Sequence, residues 1–150
     1  MSDLDDCTLL TRAIELAHRS PPSATAFSVG ALVVAGDGTV LAEGWSRMHD
    51  SHDHAEEAAL ASLGRGWRAP PGTTVYSSLE PCSVRASRPR TCTELILAAG
   101  VERVVFAWRE PSIFVDCEGA ELLRAAGLEV VEVPELAEEV RAVNRHLLAG

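Results

Sequence analysis

Three segments in a row decide the fold. They are Thr73-Thr74-Val75-Tyr76-Ser77-Ser78-Leu79, then Thr91-Cys92-Thr93-Glu94-Leu95-Ile96-Leu97-Ala98-Ala99-Gly100, then Arg103-Val104-Val105-Phe106-Ala107-Trp108. The first and third are short runs rich in β-branched and aromatic residues, the composition of strands. In the second, Thr91 stands as an N-cap with Glu94 three positions on, a capping-box spacing, and Gly100 supplies the stop. The unit reads strand 73–79, helix 92–99, strand 103–108.

Working outward, the alternation continues. Downstream, 119–126 reads as a helix, 128–133 as a strand and 135–148 as a final helix. Upstream, 54–63 reads as a helix that starts after Asp53 as N-cap, with Glu56 completing a box, and ends at Gly64. Val29 to Ala35 and Val40 to Trp45 flank Gly36-Asp37-Gly38-Thr39, the signature of a β-hairpin. Residues 6 to 19 carry Leu9, Leu10, Ala13, Ile14 and Ala17 at helical spacing before Pro21-Pro22 stops them. The expected architecture is α/β: a mixed five-stranded sheet with helices on both faces, three layers in one domain over 1–150.

With 150 residues, 47% of them hydrophobic and 23% charged, the chain has material for one sizeable core. Thirteen basic and 22 acidic residues give a net charge of −9, and all thirteen basic residues are arginine. Without lysine there is no Schiff-base chemistry and no phosphate-loop lysine. The negative balance argues against a nucleic-acid surface. No apolar run reaches membrane-spanning length, and the acidic start Met1-Ser2-Asp3-Leu4-Asp5-Asp6 does not resemble a secretory signal. A cytoplasmic location is expected, and with it four cysteines that serve a metal or the core rather than disulfides.

Chemistry gathers where strands end and helices begin, the usual ligand position in such sheets. His54-Ala55-Glu56 opens one helix, Pro81-Cys82 follows a strand, and Cys92 opens the next helix. One imidazole and two thiolates make a three-ligand zinc set with a fourth position for water, and zinc brings the pKa of such a water to about 7. Glu56, two residues from His54, is placed to take the water's proton and deliver it to a leaving amine. This is the zinc-deaminase pattern His-x-Glu…Pro-Cys-x-x-Cys. Nine residues separate Cys82 from Cys92, however, where the pattern has two. That stretch holds Arg85, Arg88 and Arg90 and no acid, in a chain of charge −9. Arginine suits bidentate phosphate contacts, so a phosphorylated or otherwise anionic substrate is expected.

His54-Ala55-Glu56-Glu57-Ala58-Ala59-Leu60, Leu79-Glu80-Pro81-Cys82-Ser83 and Cys92 together resemble the riboflavin-pathway pyrimidine deaminases of the cytidine-deaminase-like superfamily. So do residues 99–105 and 119–130. The nine-residue spacing, Cys82-Ser83-Val84-Arg85-Ala86-Ser87, Ala26-Phe27-Ser28-Val29-Gly30-Ala31 and residues 109–115 look more like the fungal-type branch than the bifunctional bacterial one. The resemblance implies a cytidine-deaminase-like fold and hydrolytic deamination of a diaminopyrimidinone ribityl or ribosyl phosphate. It also implies a zinc ion on His54, Cys82 and Cys92, and a homodimer or higher assembly with any reductase on a separate chain. Backbone amides near Ala55 or Cys82 would orient the ring, with Arg85, Ser87, Arg88 and Arg90 as substrate-binding candidates. The Pro-Asn-Pro segment of bacterial members is missing around Pro22 to Gly30.

Plainer readings stand beside these. Cys117 or His52 as a fourth ligand would make the zinc structural, and Glu56 as a capping-box side chain would be unavailable for proton transfer. The arginines suit a solvated loop, as do His49 and His52. Cys7 and Cys117 are expected to pack, and Trp45, Trp67 and Trp108 to lie in core or interface. Glu110, Ser112 and Phe114 follow a strand end, where site-lining residues sit. Two other functions fit the motifs: a cytosine, guanine, nucleoside or specialised-metabolite deaminase, and a non-catalytic zinc-stabilised binding module.

Overall fold

The computed structural model describes residues 5–83, 90–109, 111 and 117–148. The chain runs α1 (Asp6–Ala17), β1 (Gly30–Val34), β2 (Val40–Trp45), α2 (Ala55–Ala61), β3 (Thr74–Leu79), α3 (Cys92–Ala99), β4 (Arg103–Trp108), α4 (Gly119–Ala125) and β5 (Glu129–Glu132). A 3-10 turn (Pro134–Leu136), α5 (Ala137–Val143) and α6 (Arg145–Leu148) complete it. The five strands form one sheet in the order β2-β1-β3-β4-β5. β1 pairs antiparallel with β2 and β3, whereas β3, β4 and β5 are parallel. The mixed sheet expected from the sequence is present.

Alternating side chains of the central strands feed two cores, one on each face. On the first, Leu32, Val34, Tyr76 and Val105 meet Leu9, Leu10, Ala13 and Ile14 of α1 and Val140 of α5. On the second, Val33, Ala42, Val75 and Val104 meet Ala59 of α2, Ile96 and Ala99 of α3 and Leu123 of α4. A fully buried side chain such as Leu10 or Ile96 contributes about 1.5–3 kcal/mol. The three layers therefore hold, with α1 and α5 opposite α2, α3 and α4. Among the described residues no helix is long and apolar enough to cross a membrane.

Two expectations are corrected here. The final helix is not continuous over 135–148. It begins as a 3-10 turn and breaks at Asn144 (φ −107°, ψ 18°), because the fully buried Asn144 amide is bonded to the backbone of Ser28. Cys7 is exposed on α1 and does not pack in the core. The tryptophans behave as expected: Trp45, Trp67 and Trp108 lie partly buried against the cores, and Trp108 meets Phe27 edge-on at 5.6 Å.

Candidate metal centre and active site

The carboxyl end of β3 delivers Glu80, Pro81 and Cys82 to the point where α2 and α3 both start. Close packing brings α2 there. Gly44 of β2 leaves room for the helix, since a Cβ at Gly44 would fall 2.4 Å from the Ala55 carbonyl oxygen and 2.6 Å from Ala59 N. The α4 side closes equally tightly, as a Cβ on Gly119 would come 1.9 Å from the Pro81 carbonyl oxygen. Glu80, 2% exposed, accepts from Ala120 N–H at 2.9 Å and so holds the start of α4 beside the Pro81-Cys82 turn.

The cap of α2 lies one residue later than its sequence suggests. His54 is the N-cap, extended at φ −92° and ψ 156°, and its N–H donates to Glu57 Oε1 at 3.2 Å. Asp53 instead accepts from the N–H groups of His49 and Asp50, closing the preceding loop. Glu57, not Glu56, is thus the box partner. The shift rotates Glu56 into the interior, where it is 4% exposed, and removes the capping role that competed for its carboxyl group.

His54 Nδ1 lies 3.5 Å from Cys82 Sγ and 3.3 Å from Cys92 Sγ. The three ligand atoms all lie within 4.8 Å of one another. Bond lengths of about 2.3 Å to sulfur and about 2.0 Å to nitrogen separate tetrahedral zinc ligands by roughly 3.5–3.8 Å, so the observed imidazole–sulfur spacings fit that ion. The charge state fits as well. The Cys82 thiol is held down to about 4, chiefly by hydrogen bonding with the Cys92 thiol, against the opposing effect of burial and with help from His54 and the Cys92 N–H. The thiolate is the ligating form.

The start of α3 secures Cys82. Cys92 N–H donates to its sulfur at 3.2 Å, while Thr93 N–H and Thr93 Oγ1 donate to its carbonyl at 3.1 and 2.7 Å. Glu56 sits beside this group. Burial pushes its carboxyl above the usual range, and the neighbouring Cys82 charge adds to the effect. Ser77 Oγ lies 3.1 Å from Glu56 Oε2 and 2.7 Å from the Leu79 carbonyl oxygen. Ser77 is the donor in both contacts, its one hydrogen shared between the two acceptors, and its donation to Glu56 works against the upward push of burial.

The structure brings together His54, Cys82, Cys92 and Glu56, with the buried Ala55 as first residue of α2. It does not add either proposed fourth ligand. His52 is exposed and lies 3.5 Å from an Asp50 carboxylate oxygen, and the Cys117 thiol donates to the Pro81 carbonyl at 3.2 Å. His49 is exposed, as is Arg90, just ahead of α3. Arg85, Ser87 and Arg88, like Glu110, Ser112 and Phe114, lie outside the described residues.

Ser77, Glu80 and Thr93 were not singled out by sequence reasoning. Ser77 and Ser78 had one readable signal, being hydroxyls in a strand with no exposed face. Buried polar groups of that kind must find partners.

Residues 4–108 match the family model of the cytidine and deoxycytidylate deaminase zinc-binding region. The chain is 38% identical over 125 residues to a diaminohydroxyphosphoribosylamino-pyrimidine deaminase of Schizosaccharomyces pombe, covering 82% of this chain and 31% of that protein. It is 37% identical over 117 residues to the riboflavin biosynthesis protein RibD of Aquifex aeolicus, covering 78% of this chain and 31% of the relative. It spans about a third of the length of these curated relatives. Among solved structures, it is similar to a C-terminal deletion mutant of Aspergillus oryzae Rib2 deaminase, with a TM-score of 0.82 at 25% identity over 93% of this chain and 90% of that one. It is also similar to a diaminohydroxyphosphoribosylaminopyrimidine deaminase/5-amino-6-(5-phosphoribosylamino)uracil reductase of Thermotoga maritima. There the TM-score is 0.76 at 35% identity, over 95% of this chain and 40% of that one.

Proposed function

The chain belongs to the cytidine and deoxycytidylate deaminase zinc-binding family, and from that membership we propose that it hydrolytically deaminates an aminopyrimidine. The substrate we assign is a diaminopyrimidinone carrying a ribosyl or ribityl phosphate; the name of the Schizosaccharomyces pombe relative, a diaminohydroxyphosphoribosylamino-pyrimidine deaminase, supports the phosphoribosyl form. One observation carries the reading: a buried carboxyl, Glu56, two residues beyond the imidazole of a closed His54/Cys82/Cys92 group.

His54, Cys82 and Cys92 would hold zinc, whose Lewis acidity makes hydroxide available near neutral pH. Glu56 takes the proton released when water adds to the amino-bearing ring carbon. It returns that proton to the amino nitrogen, the C–N bond breaks, and ammonia leaves with a ring carbonyl in its place. A carboxyl held above its ordinary range suits both halves of that transfer, because it gains and loses a proton closer to neutrality. Backbone amides near Ala55 and Cys82 orient the ring in this reading. The arginines of the 83–91 segment take the phosphate. The protein works as a cytoplasmic homodimer whose product passes to a reductase on a separate chain.

Zinc content per chain, measured alongside ammonia release from a panel of aminopyrimidines, tests the proposal. One zinc per chain and preferential turnover of the phosphorylated diaminopyrimidinone are expected. Preference for cytosine, guanine or a nucleoside would move the substrate assignment, and zinc without any ammonia would make the chain a binding module. Replacing Arg85, Arg88 and Arg90 together with alanine should raise KM for the phosphorylated compound about tenfold and leave its dephosphorylated counterpart unaffected. Sedimentation reads the dimer.

A further inference from the structure

We infer that Ser77 is a positioning residue, whose hydroxyl fixes the Glu56 carboxyl against the end of β3 and so sets its aim for the deamination step. The inference rests on the function proposed above and adds a residue that the metal motif does not contain.

Three facts carry it. Ser77 is fully buried in β3, where a hydroxyl contributes less to burial than an aliphatic side chain and needs partners to be tolerated. Its Oγ touches two atoms from different parts of the site, Glu56 Oε2 on α2 at 3.1 Å and the Leu79 carbonyl at the end of β3 at 2.7 Å. Leu79 directly precedes Glu80-Pro81-Cys82, so the hydroxyl ties the α2 carboxyl to the strand end that carries a metal ligand. A free Glu side chain has three rotatable bonds. The Ser77 contact occupies one carboxyl oxygen and restrains the last two of those bonds. Misplacing a reacting group by about 1 Å costs on the order of a hundredfold in rate.

The test compares Ser77→Thr with Ser77→Val, which share shape and differ in the hydroxyl, alongside Ser77→Ala, which adds no bulk. Ammonia release should keep kcat within threefold of the parent in Ser77→Thr. In Ser77→Val and Ser77→Ala it should fall ten- to a hundredfold, with KM within twofold and one zinc per chain retained. Equal kcat for the Thr and Val variants, or an Ala variant at the parent's rate, overturns the inference. So does a loss of kcat that appears only together with loss of zinc. A parent protein that releases no ammonia fails the proposed function itself, and the inference falls with it. A parent that turns over beside an equally active Ser77→Ala fails the inference alone.

Discussion

Asn144 holds Ser28 as a neighbouring strand would. Its side-chain oxygen accepts from Ser28 N–H at 2.6 Å, and its Nδ2 donates to the Ser28 carbonyl at 3.0 Å. The same Nδ2 donates to the Val140 carbonyl one turn back, and Asn144 is wholly buried. Through this pair the C-terminal helices fasten the segment that precedes β1. Phe27 and Val29 of that segment share a core with Ala55 and Leu79, the neighbours of Glu56 and Glu80.

Replacing Asn144 with alanine leaves the Ser28 N–H and C=O without this partner in a buried place. Each unsatisfied group costs about 1–3 kcal/mol, so a loss of about 2–6 kcal/mol is expected for the two. The midpoint of denaturant unfolding measures it. Asn144→Asp keeps the acceptor but sets a buried carboxylate against the Ser28 and Val140 carbonyls, and should cost at least as much as the alanine at neutral pH.

Glu56→Gln preserves the side-chain shape but cannot carry the proton. Turnover should drop on the order of a thousandfold, while zinc content stays at the parent's level. A parallel fall in zinc would make Glu56 a ligand or a structural residue instead. Stability adds a second readout. Because burial raises the Glu56 carboxyl, its contribution to the metal-free protein is complete below the ordinary carboxylate range. It is lost as pH rises through the raised value. Metal-free Glu56→Gln should therefore gain on the parent as pH climbs above about 4.5, read from melting temperatures across a pH series.

Gly119→Ala tests the packing that seats the Pro81-Cys82 turn. The new Cβ would meet the Pro81 carbonyl oxygen at 1.9 Å, backbone against side chain with no rotamer to relieve it. Overpacking of this kind costs about 1–3 kcal/mol. The displaced turn carries Cys82, one of the proposed ligands, so zinc affinity should fall as well, by a competition assay against a chelator. An unchanged affinity would mean that the turn yields without moving Cys82.

Far from the site, Asp6 joins α1 to the sheet. It accepts from Tyr76 Oη at 2.7 Å and from the Arg103 guanidinium at 2.8 Å. Hydrogen bonding from Arg103 is the main reason its carboxyl lies below the ordinary value. A depressed carboxyl adds stability that is full above the unfolded-state pKa of about 3.9 and disappears as pH falls through the lower folded value. Asp6→Asn should cost about 2 kcal/mol at neutral pH and flatten the loss of stability below pH 4, seen in acid titrations of the melting temperature.

Much of this was readable locally. The box of Thr91 and Glu94, the Gly100 stop and the apolar runs of β3 and β4 concern residues within a few positions of one another, and α3 and β4 fall where they were expected. The cap of α2 did not. Asp53/Glu56 and His54/Glu57 offer the same three-residue spacing, and local chemistry has no means of choosing between them. The choice falls to whichever carboxyl the interior can use. Glu56 finds Ser77 inside the sheet, and Asp53 closes its own loop on His49 and Asp50. Asn144 is a similar case, where residues 116 positions apart decide that a helix with good periodicity breaks.

By itself the sequence determined the strand–helix alternation, the candidate ligand set His54, Cys82 and Cys92, and an acid, Glu56, two residues beyond the imidazole. Each of these is written in residue types and short spacings. Only the tertiary structure decided that His54 Nδ1 and two sulfurs converge from three places to ligand spacing. It also decided that Glu56 is buried rather than capping, and that Ser77 and Asn144 hold the surroundings. Those outcomes depend on which distant groups share a dry interior, where a polar atom must find its partner or be excluded.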